Sequence, residues 1–102
     1  MNRRFVIGVE GLSLAEQDKL RDFLRAHGAW WHWIDNLWLL SLTADDDDFE
    51  VDQIRDQIKE INRNALSIVF EFPEDIAWAG SGKKNAEGKS MFKWLKTVWA
   101  RK

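Results

Sequence analysis

Few positions in this sequence carry side chains able to do chemistry. Glu10 closes the first apolar run, Arg3 to Glu10, and is followed by Gly11. A carboxylate at a strand end can hold a hard cation such as Mg²⁺ or Mn²⁺ through oxygen. Two-metal phosphodiester chemistry needs several carboxylates around the ions, and the sequence offers one per chain at this point. The plainer reading is a solvent-facing Glu, or one paired with Arg3 or Arg4. His32 and Asp35 could form a base and its orienter. A strand end and a turn separate them, however, and no Ser or Cys nucleophile is placed beside them. Packing of His32 at a sheet face explains it more simply. In a dimer interface its titration would make association pH-sensitive.

Two further motifs fail on spacing. Gly88-Lys89-Ser90 has the ending of a phosphate-binding loop, but the Gly required five positions before Gly88 is Lys83. It reads instead as a linker with Ser90 as helix N-cap. Asp45 to Asp48 lack the spaced ligands and Gly of a calcium loop. They suit a solvated loop before a helix N-terminus, and they could also receive a basic segment. There is no cysteine, so disulfides, thiolate catalysis and Cys-type zinc sites are excluded. This permits a cytoplasmic protein. His27 and His32 are the only histidines, too few for a transition-metal site by themselves.

Charge is unevenly spread. Residues 1–79 hold eight Lys/Arg against sixteen Asp/Glu, whereas residues 80–102 hold seven Lys/Arg against Glu87 alone. An acidic body thus carries a basic tail. Either the tail docks on a body, its own or a neighbour's, or Lys83, Lys84, Lys89, Lys93 and Lys96 contact phosphates, helped by Arg3 and Arg4.

These residues must be positioned by a chain of 102 residues, long enough for one domain with a real core. No apolar stretch approaches the length of a membrane span, and the N-terminal apolar run is too short for a signal peptide. Phe5, Ile7 and Val9 alternate with Val6, Gly8 and Glu10, a strand pattern. Ser13 to Glu16 is a capping box. The helix it starts shows Leu20, Phe23, Leu24 and His27 on one stripe and meets Gly28 as a natural C′ residue. Ala29–Ile34 and Leu37–Leu42 flank Asp35-Asn36, a two-residue hairpin pattern. In that register Trp33 opposes Trp38 and Trp31 opposes Leu40, and Trp30, His32, Ile34, Leu37 and Leu39 share the other face. Val51, Ile54, Ile58 and Ile61 mark a second helix. Leu66–Phe72 forms another strand, with Ile68, Phe70 and Phe72 on one face, stopped by Pro73. Ile76 to Trp78 could add a short edge strand. After a flexible Gly/Lys loop, Met91, Phe92, Leu95, Val98 and Trp99 stripe a last helix, with Lys89, Lys93 and Lys96 outside the stripe.

The order β-α-β-β-α-β is that of the ferredoxin-like α+β sandwich, here with an extra C-terminal basic amphipathic helix. Residues 1–79 make the ferredoxin-like domain. Residues 80–102 make the loop and helix, packing on the body or on a dimer partner. Both helices cover one sheet face, yet the hairpin is apolar on both. A covered second face follows, and the candidates are the last helix, a second copy, or stacked bases. The sheet segments from Trp30 to Leu42 contain no Lys or Arg, which argues against a single-stranded RNA platform and for packing by Trp30, His32, Ile34, Leu37 and Leu39.

From Phe5 to about Trp78 the chain resembles the SinR-like proteins, relatives of the small CRISPR-associated ferredoxin-like protein of spacer acquisition. The resemblance lies in FVIGVEGL, HGAWWHWIDNLWLLSLT, VDQIRDQIKEI and SIVFEF, and most specifically in Trp30-Trp31-His32 with Asp35 and Trp38. It implies a ferredoxin-like homodimer. In nuclease members of the wider family a carboxylate, usually Asp, ends the first strand and shares a metal with its copy. Glu10 matches that position and departs from it by one methylene. The expectation is therefore a homodimeric, nucleic-acid-associated binding protein rather than an efficient enzyme, requiring no cofactor. The alternatives are a Mg²⁺- or Mn²⁺-dependent endonuclease with Glu10 as catalytic and metal-binding residue at the dimer axis, and a protein-interaction module without nucleic acid. No membrane partner is expected.

Overall fold

The computed structural model describes residues 3–42 and 49–73, with Trp33 described by its backbone alone. Asp45–Asp48, the expected strand at 76–78, the Gly/Lys loop, the last helix and its lysines lie outside the described residues. The elements are β1 (Arg3–Glu10), α1 (Leu14–His27), β2 (Gly28–Ile34), β3 (Leu37–Leu42), α2 (Val51–Ile61) and β4 (Leu66–Phe72). The four strands form one sheet in the order β2-β3-β1-β4, with every neighbour antiparallel. The arrangement is α+β and compatible with a small ferredoxin-like fold.

Local sequence accounts for the elements. Ser13 caps α1 reciprocally: the Glu16 N–H donates to Ser13 Oγ at 3.2 Å and the Ser13 N–H donates to Glu16 Oε1 at 2.8 Å. At α2 the Glu50 N–H donates to Gln53 Oε1 at 3.1 Å. The apolar stripes of both helices meet the odd-numbered side of β1. Phe5, Ile7, Val9, Leu20, Leu24, Trp38, Leu40, Leu42, Phe49, Ile54 and Ile58 form one buried core. The Phe5 ring meets Phe49 edge-on at 5.6 Å between centroids.

Gly28 departs from its expected role. It is not a left-handed helix cap but extended backbone, φ 177°, and it already belongs to β2. It is needed for space: a Cβ there would collide with the backbone oxygen of Ser41 on β3. Gly11 is the glycine that uses positive φ, at 99°, in the turn after β1.

The hairpin register also differs from the expectation. Ile34 pairs with Leu37, as a two-residue turn requires, but Trp31 pairs with Leu39 and Trp30 with Leu40. A β-bulge between Trp31 and Ile34 absorbs the extra residue. The five residues expected on one face are therefore divided. Trp30 packs against the core beneath the helices, and His32 stacks on Trp38 at 3.6 Å. Ile34, Leu37 and Leu39 lie on the other face with Trp31. The bulge lets both edge tryptophans find apolar surroundings, Trp30 on one side and Trp31 on the other.

Candidate binding face

The sheet face away from α1 and α2 carries Arg4, Glu10, Ile34, Leu37 and Leu39 of the sequence-derived candidates. The strand registers fix it as four rows running from β2 to β4. The first is Ala29, Ser41, Arg4 and Phe72. The second is Trp31, Leu39, Val6 and Phe70. The third is Ile34, Leu37, Gly8 and Ile68. The fourth pairs Glu10 with Leu66. Apart from Arg4, Ser41 and Glu10, every side chain in these rows is apolar. A sheet face left to water is normally polar, so the composition of this face marks a contact surface.

The face is unevenly covered. Trp31 and Leu39 are 3% and 8% exposed, and Arg4 and Ser41 are fully buried. On β4, by contrast, Leu66, Ile68 and Phe70 are 68%, 57% and 47% exposed. The Phe70 and Phe72 rings stack at 5.9 Å, so the exposed stripe is continuous along the strand. Gly8 lacks a side chain between Leu37 and Ile68. A shallow hollow of about 360 Å³ opens there, lined by Gly8, Val9, Glu10, Asn36, Leu66, Ser67 and Ile68. A Cβ on Gly8 would reach 3.2 Å from Ile68 Cγ2, so the hollow depends on glycine.

Glu10 stands exposed at the rim of this hollow, the last residue of β1. It lies at the opposite end of β1 from Arg3, which holds Glu71 and Glu50 instead. Arg3 Nε and Nη2 donate to the two Glu71 carboxylate oxygens at 2.7 Å each, and Glu50 lies 3.5 Å away. This fork lowers the pKa of Glu71 from its ordinary value, partly opposed by burial. The Arg3 guanidinium carbon also sits 5.4 Å from the Phe5 ring centre. Arg4 Nη1 donates to the Pro73 carbonyl at 3.2 Å. The two N-terminal arginines expected to help bind phosphate are thus embedded in the body, Arg3 on the helical side and Arg4 on the second face.

Glu16 is likewise held below its usual pKa, first by the Ser13 N–H and then by the Asn62 side chain. Asn62 Nδ2 donates to Glu16 Oε1 at 3.2 Å and to the Gly11 carbonyl at 3.3 Å, tying the end of α2 to the start of α1. The expected His32–Asp35 pair takes another form: His32 Nε2 lies 2.9 Å from the Asp35 backbone carbonyl. The contact fixes the ring over Trp38, and the Asp35 carboxylate takes no part in it.

The helical side carries a second concavity, about 330 Å³, lined by Phe23, His27, Phe49, Gln53, Asp56, Gln57 and Glu60. Sequence reading placed Phe23 and His27 on the core stripe and overlooked that Phe49, just before α2, would meet them there. His27 lies 4.4 Å from Phe49 and 4.8 Å from Phe23, ring to ring. Carboxylates on this side are largely paired along the helices, as in Arg21 with Asp18 and Asp22, Arg25 with Asp22, and Arg55 with Asp56.

Among the described residues, no three His, Asp or Glu side chains gather as metal ligands. Glu10 could contribute one carboxylate to a shared ion, and any others would have to come from elsewhere. No described helix is long and apolar enough to cross a membrane. No family model, curated protein or solved structure matches this chain.

Proposed function

We propose that this chain is a binding protein that associates with a second copy through the β4 side of its second sheet face and holds nucleic acid on its Lys-rich residues. The observation that carries the association is the exposed stripe Leu66, Ile68 and Phe70 on a face that is apolar nearly throughout. Edge strands left to water usually carry charge or Pro. β4 instead shows three large apolar side chains in a row, as interface cores do. The resemblance to SinR-like proteins points to a dimer as well. Support for nucleic acid comes from composition: seven Lys/Arg and one Glu in residues 80–102.

The test is fluorescence anisotropy of labelled single- and double-stranded oligonucleotides at low and moderate salt. Binding that weakens steeply with salt is expected, because neutralising phosphates releases counterions. Absence of binding at low salt refutes the nucleic-acid half and leaves a protein-interaction module.

A second reading rests on Glu10 at the rim of the hollow on this same face. If two copies meet there, two carboxylates come together and could hold Mg²⁺ or Mn²⁺ for phosphodiester cleavage. Metal-dependent cleavage that Glu10→Ala abolishes would establish it. Cleavage unaffected by that change would remove it.

A further inference from the structure

On the helical side, α1 and α2 turn surfaces of unlike chemistry toward each other. A helix advances about 100° per residue, which divides α2 into stripes. Val51, Ile54, Ile58 and Ile61 pack on the core, and Arg55 and Lys59 are exposed. Gln53, Asp56, Gln57 and Glu60 recur at spacings of three, one and three and form the α2 wall of the 330 Å³ cleft. The opposite wall is Phe23 and His27 of α1, with Phe49 at its base. The His27 ring lies 4.8 Å from Phe23 and 4.4 Å from Phe49. A wall of rings thus faces a wall of amides and carboxylates.

Glu60 breaks two local rules at this site. It sits in the last turn of α2, where the helix dipole favours a cation. Asp56 stands one turn before it, and like charges at that spacing repel. Arg55 Nη2 lies 2.9 Å from Asp56 Oδ1, but Glu60 joins none of the ion pairs among the described residues. Its side chain is exposed, so packing does not demand it. A local rule broken without structural gain is expected where function selects the residue.

We propose that this cleft is a docking site for an arginine side chain presented by a basic segment of a partner protein. A guanidinium carries its charge in a plane, so it can lie against the Phe23 ring. Its N–H fork then reaches the carboxylates of Asp56 and Glu60. A lysine ammonium would meet the acids without the planar contact. The cleft sits at the small end of the roughly 300–1,000 Å³ typical of ligand sites, room for a side chain. Charge complements it as well: residues 1–79 hold sixteen Asp/Glu against eight Lys/Arg, a field that steers a cationic segment toward the body. The cleft lies across the sheet from the β4 stripe and the Gly8 hollow. The inference therefore rests on neither self-association nor nucleic acid.

The probes are two fluorescein-labelled peptides, Gly-Gly-Arg-Gly-Arg-Gly-Gly and the same sequence with Lys for Arg. The full-length chain is titrated into each, and anisotropy is read at constant ionic strength. The Arg peptide should bind at least about threefold more tightly than the Lys peptide. Glu60→Gln should weaken the Arg peptide about fivefold. Its urea midpoint should hold or rise, since the acid opposes its helix dipole. Phe23→Leu keeps an apolar side chain, removes the ring, and should erase the preference for Arg over Lys. Equal binding of the two peptides, or Arg-peptide binding unaffected by Glu60→Gln, overturns the proposal. So does no binding of the Arg peptide at about 1 mM protein, a weak affinity even for one contact. A lower urea midpoint for Glu60→Gln gives that residue a structural role and overturns it too. Binding lost only on the fourfold change Asp45→Asn, Asp46→Asn, Asp47→Asn and Asp48→Asn would make the acidic run the receptor instead. The titrations need neither a dimer nor an oligonucleotide, so failure of either reading above leaves their outcome intact.

Discussion

If β4 is the association surface proposed above, Ile68 is the position where folding and association separate. Its side chain is 57% exposed in the single chain, and it sits in the third row beside the Gly8 hollow. Fully burying an Ile is worth roughly 1.5–3 kcal/mol. The part still open to water is then worth about 1–1.5 kcal/mol when a second copy covers it. In a two-fold dimer the change is made twice, so Ile68→Lys forfeits about 2–3 kcal/mol, or roughly a 30- to 150-fold rise in dimer Kd. Apposed ammonium groups add to that. Monomer stability should move by only about 0.5 kcal/mol, as at other exposed sites, since Lys is well tolerated on an edge strand. Sedimentation velocity across a concentration series measures the Kd, and urea unfolding at low concentration measures the stability. An unchanged dimer Kd, with the fold intact, refutes the assignment of β4 as the association surface.

Other consequences follow from the body of the protein. Gly28→Ala should destabilise by about 1–3 kcal/mol or more, because the new Cβ meets the Ser41 carbonyl oxygen and neither backbone can give way without breaking the β2–β3 ladder. A urea midpoint equal to wild type would contradict that packing. Leu40→Ala, at a fully buried core site, should cost about 2–5 kcal/mol, and a loss below about 1 kcal/mol would show that the core is looser than described. Glu71→Gln breaks the fork to Arg3. Because the folded pKa of Glu71 is depressed, its stabilisation is present above the ordinary Glu value of about 4.3 and is lost as pH falls through the folded value. The variant should be about 0.5–1 kcal/mol less stable near pH 7, and the gap should close towards pH 3. A gap that stays constant with pH would mean the fork contributes through packing alone.

Much of the fold is legible in the residues. Ser13 and Glu16 announce the start of α1, and the stripes of Leu20, Leu24, Ile54 and Ile58 mark the core faces, because capping and helical periodicity are local. The alternation of Phe5, Ile7 and Val9 assigns the buried side of β1 for the same reason. The hairpin resists such reading. Trp30, Trp31, Trp33 and Trp38 leave both faces apolar, so no polar alternation pins the register, and the bulge between Trp31 and Ile34 is decided by packing. Gly28 next to His27 looks like a helix cap from its neighbours, but what selects glycine there is Ser41, thirteen residues away on the next strand. The fork from Arg3 to Glu71 joins neighbouring strands 68 residues apart in the chain and leaves no local signal.

The candidate face is legible by halves. Glu10 as a strand end, and Ile68, Phe70 and Phe72 on one face of β4, follow from period-two alternation. That Glu10 borders a hollow made by Gly8 depends on Leu66 and Ile68 being brought alongside β1. The burial of Trp31 and Leu39 beside an exposed β4 stripe is likewise tertiary information. It divides one apolar face into a covered part and an open one.

The central claim is that the open part binds a second copy. Sedimentation velocity of the unmodified chain from about 0.1 to 100 µM tests it most directly, a range matching dimer affinities from about −9.5 to about −5.5 kcal/mol. The account predicts a shift with concentration from the 12.0 kDa monomer to a species of twice that mass, with no larger assembly. A single monomeric species across the whole range would contradict it.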